Sequence, residues 1–339
     1  MFGPTTLFRI FDNEPSLHSL HLQSFHQQLR LPFQKIEKLE IVDHFTHFSD
    51  LLLLLLQCSH LKMLDISFSG TVNDGLDELS LLTMEHLSSL KLFSLNEFTG
   101  FIEVISCIVC PMLTALLLNF DDSDYDRNSG SPHNMSVERF NSFLQRSACQ
   151  ISTLELSGTS RLFFVDNNLT QFLQALPTVR DFTLSLDTFY PEGSGENYLQ
   201  RLTFVEPPIS EMSRTSTLLP QLQSFRLRLE EKTPCFFEWG WDIPPSLGLP
   251  DAEAIFSMVH SRRLMHASPG VERLIHFELS FEATRYSFGV PWVNNFHSTV
   301  EPRLRVLENE GLSLSLNLKV PNGPEPCSFD CSWSGSEDL

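Results

Sequence analysis

The chain has 339 residues and a formal net charge of -19, from 42 acidic and 23 basic side chains. This balance argues against a general nucleic-acid or anionic-membrane surface, because both require many basic side chains. Hydrophobic residues make up 42% of the sequence, which is enough for a continuous core and argues against a disordered chain. The seven cysteines are odd in number and scattered, so we expect a cytoplasmic or nuclear protein rather than a secreted disulfide framework.

A six-residue phrase, Leu-x-x-Leu-x-Leu with other apolar residues in some copies, recurs from Leu17 onward. Its central apolar residue stands at positions 20, 39, 64, 90, 116, 154, 182, 202, 225, 277 and 307. The first steps are 19, 25, 26 and 26 residues, which is close to the period of leucine-rich repeats. The phrase predicts an α/β fold, a right-handed solenoid of about ten leucine-rich repeats with parallel strands on its concave face.

The segments between the phrases are expected to return the chain as helices. Apolar residues at helical spacing predict helices over residues 50–58, 99–110, 136–149, 168–176 and 251–263. The longest apolar run, residues 51–56, is far shorter than the roughly 20 residues of a membrane-spanning helix, so we expect no membrane segment.

Two longer gaps between phrases predict insertions into the solenoid. Residues 121–135 are polar and contain Gly and Pro, which indicates an exposed loop. Residues 231–250 contain Trp239 and Trp241 and are expected to form an irregular cover. We assign residues 1–320 to the solenoid, and expect the acidic tail at 321–339 to be disordered.

The repeats are expected to form an irregular arc, because they lack one regular feature. The position three residues after each Leu-x-Leu commonly carries Asn or Cys in such repeats. Here it carries Phe25, His44, Ser69, Leu95, Asp121, Thr159, Asp187, Glu230 and Glu282. No asparagine ladder can form, so the backbone groups that it would satisfy must find other partners.

Three segments, residues 33–41, 256–263 and 304–316, resemble the leucine-rich-repeat region of mushroom-type (basidiomycete) F-box proteins. The likeness extends over residues 7–320. It implies a protein whose N-terminal F-box docks onto a cullin-type ubiquitin ligase and whose repeats select the substrate. No Leu-Pro-x-Glu phrase precedes the first repeat here, so we expect a substrate-binding portion without its F-box. A cullin-ligase adaptor is then a partner only if an F-box lies upstream.

Candidate catalytic and metal-binding motifs are weak. Cys107 and Cys110 have redox-motif spacing, but their apolar context favours buried structural cysteines. The acidic residues at 122, 124 and 126 imitate a calcium loop that lacks the required Gly and Glu, so an ordinary acidic loop is favoured. No nucleophile elbow, phosphate-binding loop or zinc-protease motif is present. We therefore expect neither catalysis nor a cofactor.

The informative surface is the concave strand face, where the residue between the last two leucines points outward. These residues are His21, Glu40, Asp65, Lys91, Leu117, Glu155, Thr183, Thr203, Arg226, Glu278 and Glu308.

On this face Arg201, Arg226 and Arg228 are expected on neighbouring strands. They form a basic spot for a carboxylate or phosphate unless Glu206 or Glu230 pairs with them, and we favour such pairing.

Trp239 and Trp241 are either interface anchors or, as we favour, a lid on the core. The predicted partner-binding residues are Glu40, Asp65, Lys91, Glu155, Arg201, Arg226, Arg228, Trp239, Trp241 and Glu278. The predicted function is recognition of an unidentified protein partner, as the substrate-binding part of an F-box-type receptor. The alternative is a scaffold or sensor unconnected with ubiquitin.

Overall fold

The structure is a computed structural model of the chain. It describes residues 17–23, 33–43, 48–68, 81–94, 104–120, 137–158, 168–187, 195–204, 218–230, 249–264, 271–282 and 289–319. The predicted insertions at 121–135 and 231–250 and the predicted tail at 321–339 lie outside the described residues, apart from residues 249 and 250.

The described chain is a mixed α/β structure dominated by one ten-stranded parallel sheet. Its strands are β1 Ser19–Leu22, β2 Lys38–Asp43, β3 Met63–Phe68, β5 Ser89–Ser94, β7 Ala115–Phe120, β8 Thr153–Gly158, β9 Asp181–Asp187, β10 Ser224–Glu230, β11 His276–Glu282 and β12 Ser313–Lys319. They follow one another in the sheet in chain order. Two short strands, β4 Leu82–Thr83 and β6 Ile108–Val109, form a separate parallel pair.

Helices connect many of these strands, as consecutive parallel strands require. They are α1 Phe48–Gln57, α2 Val137–Ser147, α3 Asn168–Gln174, α4 Gly195–Leu202, α5 Ala252–Leu264, α6 Val290–Asn295 and α7 Glu301–Asn309, with a π-helix Phe296–Val300 between the last two. The Asp251 carboxylate accepts the Glu253 N–H, 3.2 Å away, where α5 begins. Gly311, with φ of 91°, ends the last helix in a left-handed conformation that favours glycine.

The phrase leucines form one face of the sheet and the core. Leu39, Leu64 and Leu90 are each at most 2% exposed and lie directly opposite one another in register. The same column continues through Leu116 and Leu154 and then changes to phenylalanine. Buried apolar residues of the described chain form one continuous cluster with the helices.

Three phenylalanines make the second half of this column. The rings of Phe182 and Phe225 are 5.5 Å apart, and those of Phe225 and Phe277 are 6.0 Å apart, all stacked. In-register strands are about 4.8 Å apart, so identical positions bring flat side chains to stacking distance. This column accounts for part of the excess of phenylalanine over tyrosine in the sequence, 29 against 4.

The amino ends of the strands carry a regular hydrogen-bond ladder. The Lys62 carbonyl accepts the N–H groups of Ser88 and Ser89, at 2.9 and 3.0 Å, and the Ser88 hydroxyl at 3.1 Å. Thr114 donates to the Ser88 carbonyl in the same way, and Ser152 to that of Thr114. Backbone groups at the amino ends of these strands are thus satisfied from strand to strand.

Two copies of the phrase are helices rather than strands, which corrects the structure predicted for those copies. Residues 199–202 lie in α4, and residues 304–307 lie in α7. The last strand is β12, which begins after both. Leucines three apart fit one face of a helix as well as they fit the phrase, so spacing alone does not separate the two structures.

The predicted helices agree with α1, α2, α3 and α5 to within a few residues. The predicted helix over 99–110 is only partly helical, because residues 104–107 form a helical turn and Ile108–Val109 then form β6. None of the described helices is long and apolar enough to cross a membrane.

Candidate recognition surface

The face of the ten-stranded sheet opposite the core, here called the outer face, carries the residues that alternate with the buried leucines. Register brings one such residue from every strand into a central row. The row is His21, Glu40, Asp65, Lys91, Leu117, Glu155, Thr183, Arg226, Glu278 and Ser315. Seven of the predicted partner-binding residues lie on this face: Glu40, Asp65, Lys91, Glu155, Arg226, Arg228 and Glu278.

Opposite charges on neighbouring strands pair within this row. Lys91 Nζ lies 2.9 Å from Asp65 Oδ2, and the carboxylate is the more enclosed partner. His21 Nδ1 lies 3.2 Å from Glu40 Oε1 near the other edge. Such cross-strand pairs are typically worth about 0.2–1 kcal/mol each, so they orient the side chains more than they stabilise the sheet.

The two arginines of β10 are also held by carboxylates. Arg226 Nε lies 3.5 Å from Glu278 Oε2 on β11, and His276 Nε2 lies 3.9 Å from the same oxygen. Arg228 Nη1 reaches across β9 to Glu155 on β8, at 3.6 Å. The structure therefore pairs these arginines with Glu278 and Glu155, and Glu206 lies outside the described residues.

Arg201 does not lie on the outer face, which corrects its predicted position. It is the penultimate residue of α4, and its Nη1 donates a 2.7 Å hydrogen bond to Thr170 Oγ1 on α3. Thr203 follows the same helix, and its hydroxyl donates to the Leu199 carbonyl.

Glu308 belongs to α7, where it accepts a hydrogen bond from Arg305 at 2.9 Å. The predicted basic spot thus lacks Arg201, and the predicted row lacks Thr203 and Glu308.

Four apolar side chains lie on the outer face around the Lys91–Asp65 pair. Met63 on β3 and Val42 on β2 are 47% and 41% exposed. Phe93 on β5 and Leu117 on β7 are half-buried. Sequence reasoning named Leu117 but not the other three residues, because apart from Arg228 it considered the middle position of each strand. The register of β2, β3, β5 and β7 places all four on the same face of the sheet.

At β9 the outer face is enclosed. Thr183 and Ser185 of β9 are only 4% and 7% exposed. The ion pair between Arg228 and Glu155 joins the two strands that flank β9. Trp239 and Trp241 lie outside the described residues, so the two roles predicted for them both remain open.

The cysteines of the redox-like motif are buried. Cys107 ends a helical turn and Cys110 follows β6, with its N–H donating to Ser147 Oγ at 3.0 Å. Burial raises the pKa of the Cys110 thiol to about 12, and that of Cys58 likewise to about 12. A thiol held in the neutral form is a poor nucleophile, which agrees with the predicted structural role.

Within the described residues no three His, Cys, Asp or Glu side chains come together as a metal-binding group. Neither a scan against protein-family models nor a search of the curated proteins finds a match to this chain.

Proposed function

We propose that this chain is a non-catalytic protein-recognition module, built as an irregular leucine-rich-repeat solenoid whose concave surface is the outer face of the sheet. One observation carries the proposal. Ten parallel strands follow one another in chain order, and their register lines up the same phrase position from strand to strand. A continuous row of outward side chains, fixed by the backbone, is suited to binding an extended or convex protein surface.

The dimensions and chemistry of this row narrow the kind of partner. Nine strand-to-strand steps of about 4.8 Å give a length of about 43 Å. The side chains of Val42, Met63, Phe93 and Leu117 provide apolar surface that a partner can bury, and the Lys91–Asp65 ion pair among them can orient that partner. Those charges are already paired within the sheet. They therefore contribute to partner binding mainly through specificity, by favouring a partner whose charges alternate in the complementary order.

The link to ubiquitin remains a proposal that rests on the resemblance to mushroom-type F-box proteins. In that case the outer face selects the protein to be ubiquitinated, and an F-box would supply the ligase contact. The charge and cysteine content agree with an intracellular setting, which we also propose.

Affinity capture with matched charge reversals tests the recognition surface. Partners retained by the unmodified chain should be lost, or weakened by about ten-fold or more, when Arg226→Glu and Arg228→Glu are combined. The matched control combines Arg303→Glu with Arg305→Glu on α7, which makes the same change of net charge away from the outer face. Partners lost equally from both variants, or from neither, would refute binding at the β10 end of the outer face.

A second capture tests the ligase link. A version extended in frame upstream of Met1, if it encodes a Leu-Pro-x-Glu helix, should recover a cullin-ligase adaptor together with the partners of the outer face. If the extended version recovers those partners without an adaptor, the chain acts as a recognition scaffold and the ligase proposal fails.

A further inference from the structure

The strand β12 ends the sheet in the part of the chain that the structure describes, where its strand partner is β11. The Ser313 N–H donates to the Ile275 carbonyl at 2.8 Å, so this N–H points towards β11. Successive residues of a strand direct their backbone groups to opposite sides, so the N–H and C=O groups of Leu314, Leu316 and Leu318 point away from β11. Three donors and three acceptors therefore line the outer edge of β12.

The side chains of these three leucines lack full cover. Each is only partly buried, whereas their register partners Phe277, Leu279 and Phe281 on β11 are at most 1% exposed. The strand β11 lies between two neighbours in the sheet, and β12 has one neighbour among the described residues. A further strand beside β12 would therefore bury additional leucine surface.

The sequence of β12 carries little that protects its edge. Its seven residues, Ser-Leu-Ser-Leu-Asn-Leu-Lys, contain no proline and a single charge at the end. Proteins commonly block such edges with charges, prolines or bulges, because an unprotected edge pairs readily with another strand. The strand thus has the features of an acceptor.

We propose that β12 pairs antiparallel with β12 of a second copy of this chain, around a two-fold axis at Leu316. In this register Leu316 faces Leu316 of the second copy, and Leu314 faces Leu318. All three donors and three acceptors of each edge then find partners, and apolar side chains meet on the core side. Moving the axis to Ser315 would instead set Leu318 opposite Leu312, whose N–H already donates to a carbonyl of its own chain.

The same register is complementary in charge. Lys319, the one charge of β12, lies opposite Ser313 of the second copy, and two lysines never meet. Glu310 ends the last helix three residues before Ser313. Antiparallel pairing therefore brings Lys319 of each copy towards the acidic end of that helix in the other copy, where the helix dipole also favours a positive charge.

A two-fold contact also sets the size of the assembly. Each copy uses its β12 edge once, so association stops at two copies. Pairing of β12 with β1 of another copy would instead continue into a chain of copies. The net charge of -19 on each copy opposes association, but in about 0.15 M salt charges further apart than about 8 Å are largely screened. Contacts at the edge therefore decide the outcome.

The dimer places both outer faces on one side. Residues directly opposite one another in a sheet project from the same face, so the two-fold axis runs perpendicular to the sheet. The two ten-stranded sheets then form one continuous surface. The consequence for binding rests on the proposed function: a partner with two matching sites should bind the dimer more tightly than it binds one copy.

Analytical ultracentrifugation of the full chain tests the pairing without reference to any binding partner. In about 0.15 M salt the average mass should rise with protein concentration from one copy of 38.7 kDa towards two, and should not exceed two. Hydrogen–deuterium exchange adds a local measurement. Protection of the amides of Leu314, Leu316 and Leu318 should increase with concentration in parallel with the mass.

Substitutions on the outer face of β12 test the register without altering the core. Ser315 and Asn317 are exposed, and each lies opposite the other in the proposed pairing. Ser315→Lys with Asn317→Lys sets lysine against lysine twice and should lower the association constant by about five-fold or more. Ser315→Lys with Asn317→Asp sets lysine against aspartate twice and should raise it by about two-fold or more.

The matched control combines Ser19→Lys with Gln57→Lys, which adds the same two charges at exposed positions far from β12 and should not weaken association. A mass of one copy at every concentration would overturn the proposal, as would masses beyond two copies. So would equal association of the unmodified chain and the two β12 variants. Leucine amides that are protected equally at all concentrations would assign the edge to another segment of the same chain and would also refute the dimer.

Discussion

Arg262 Nη1 donates a 2.8 Å hydrogen bond to the backbone carbonyl of Leu219 inside the core. Its Nε donates to Leu202 at 2.8 Å, and its Nη2 donates to Leu218. Leu219 has φ of 48°, a left-handed conformation that costs free energy for a residue with a side chain. One buried guanidinium thus joins the end of α4 to the turn before β10.

Replacing Arg262 should therefore destabilise the protein strongly. Arg262→Met would leave three buried carbonyls without their donor and should lower the free energy of unfolding by on the order of 3–5 kcal/mol. Arg262→Lys should also destabilise, because one ammonium cannot reproduce the planar fork of donors. Urea unfolding measures both changes.

Arg305→Met is the control for this prediction. Arg305 is exposed and pairs with Glu301 and Glu308 on its own helix, so its loss should cost about 0–1 kcal/mol. If Arg262→Met and Arg305→Met unfold at the same urea concentration, the guanidinium does not organise this region.

Gly289 lies against the ring of Phe281, and this contact leads to the second prediction. A Cβ at position 289 would come within 2.3 Å of Phe281 Cζ, although the Gly289 φ of -76° suits any residue. Gly289→Ala should cost about 1–3 kcal/mol through overpacking. Combining it with Phe281→Leu should cost less than the sum of the two single changes, because the smaller side chain makes room. Strict additivity in thermal unfolding would contradict the contact.

Much of the sheet could be predicted from the sequence because strand alternation is a local property. The central residues at 39, 64, 90, 116 and 154 are all buried in register, as the phrase predicts. The phrase failed at Leu199 and Leu202, where both leucines are buried but on a helix. There the Thr203 N–H bonds back to the Leu199 carbonyl, so helical hydrogen bonds prevailed over a pattern that both structures share.

The pairing of charges on the outer face could not be predicted in the same way. Arg228 and Glu155 are far apart in sequence, and their contact spans an intervening strand. On the intervening strand β9, Thr183 is in register with Glu155 and Ser185 is in register with Arg228. Such a contact requires the register of three strands at once, whereas the sequence pattern defines each strand separately.

The third prediction concerns the buried thiols. Burial raises the pKa of Cys58 and Cys110 to about 12, so both should resist iodoacetamide at pH 8 in the folded chain. Cys149 is half-buried and should be alkylated first among these three. Mass spectrometry of the native protein measures the order. Alkylation of Cys110 as fast as in urea would contradict the burial.

The same thiols predict a loss of stability at alkaline pH. The unfolded thiols ionise near pH 9.0, but the folded ones ionise only near 12. Their contribution to stability is therefore complete below pH 9 and is lost as pH rises towards 12. The urea midpoint should fall with pH in this window, and it should fall less steeply when Cys58→Ala and Cys110→Ala are combined.

The last prediction separates charge pairing from partner recognition at Arg226 and Glu278. Exchanging the two residues, Arg226→Glu with Glu278→Arg, restores the ion pair in the opposite direction and should change the free energy of unfolding by about 1 kcal/mol or less. If a partner contacts the individual charge on each strand, the double substitution should weaken binding about as much as Arg226→Glu alone, because both variants place a carboxylate on β10. If the pair serves only to orient the face, the exchange should restore binding that the single substitution loses. Binding assays on the three proteins, with unfolding measured in parallel, distinguish these outcomes at one position of the outer face.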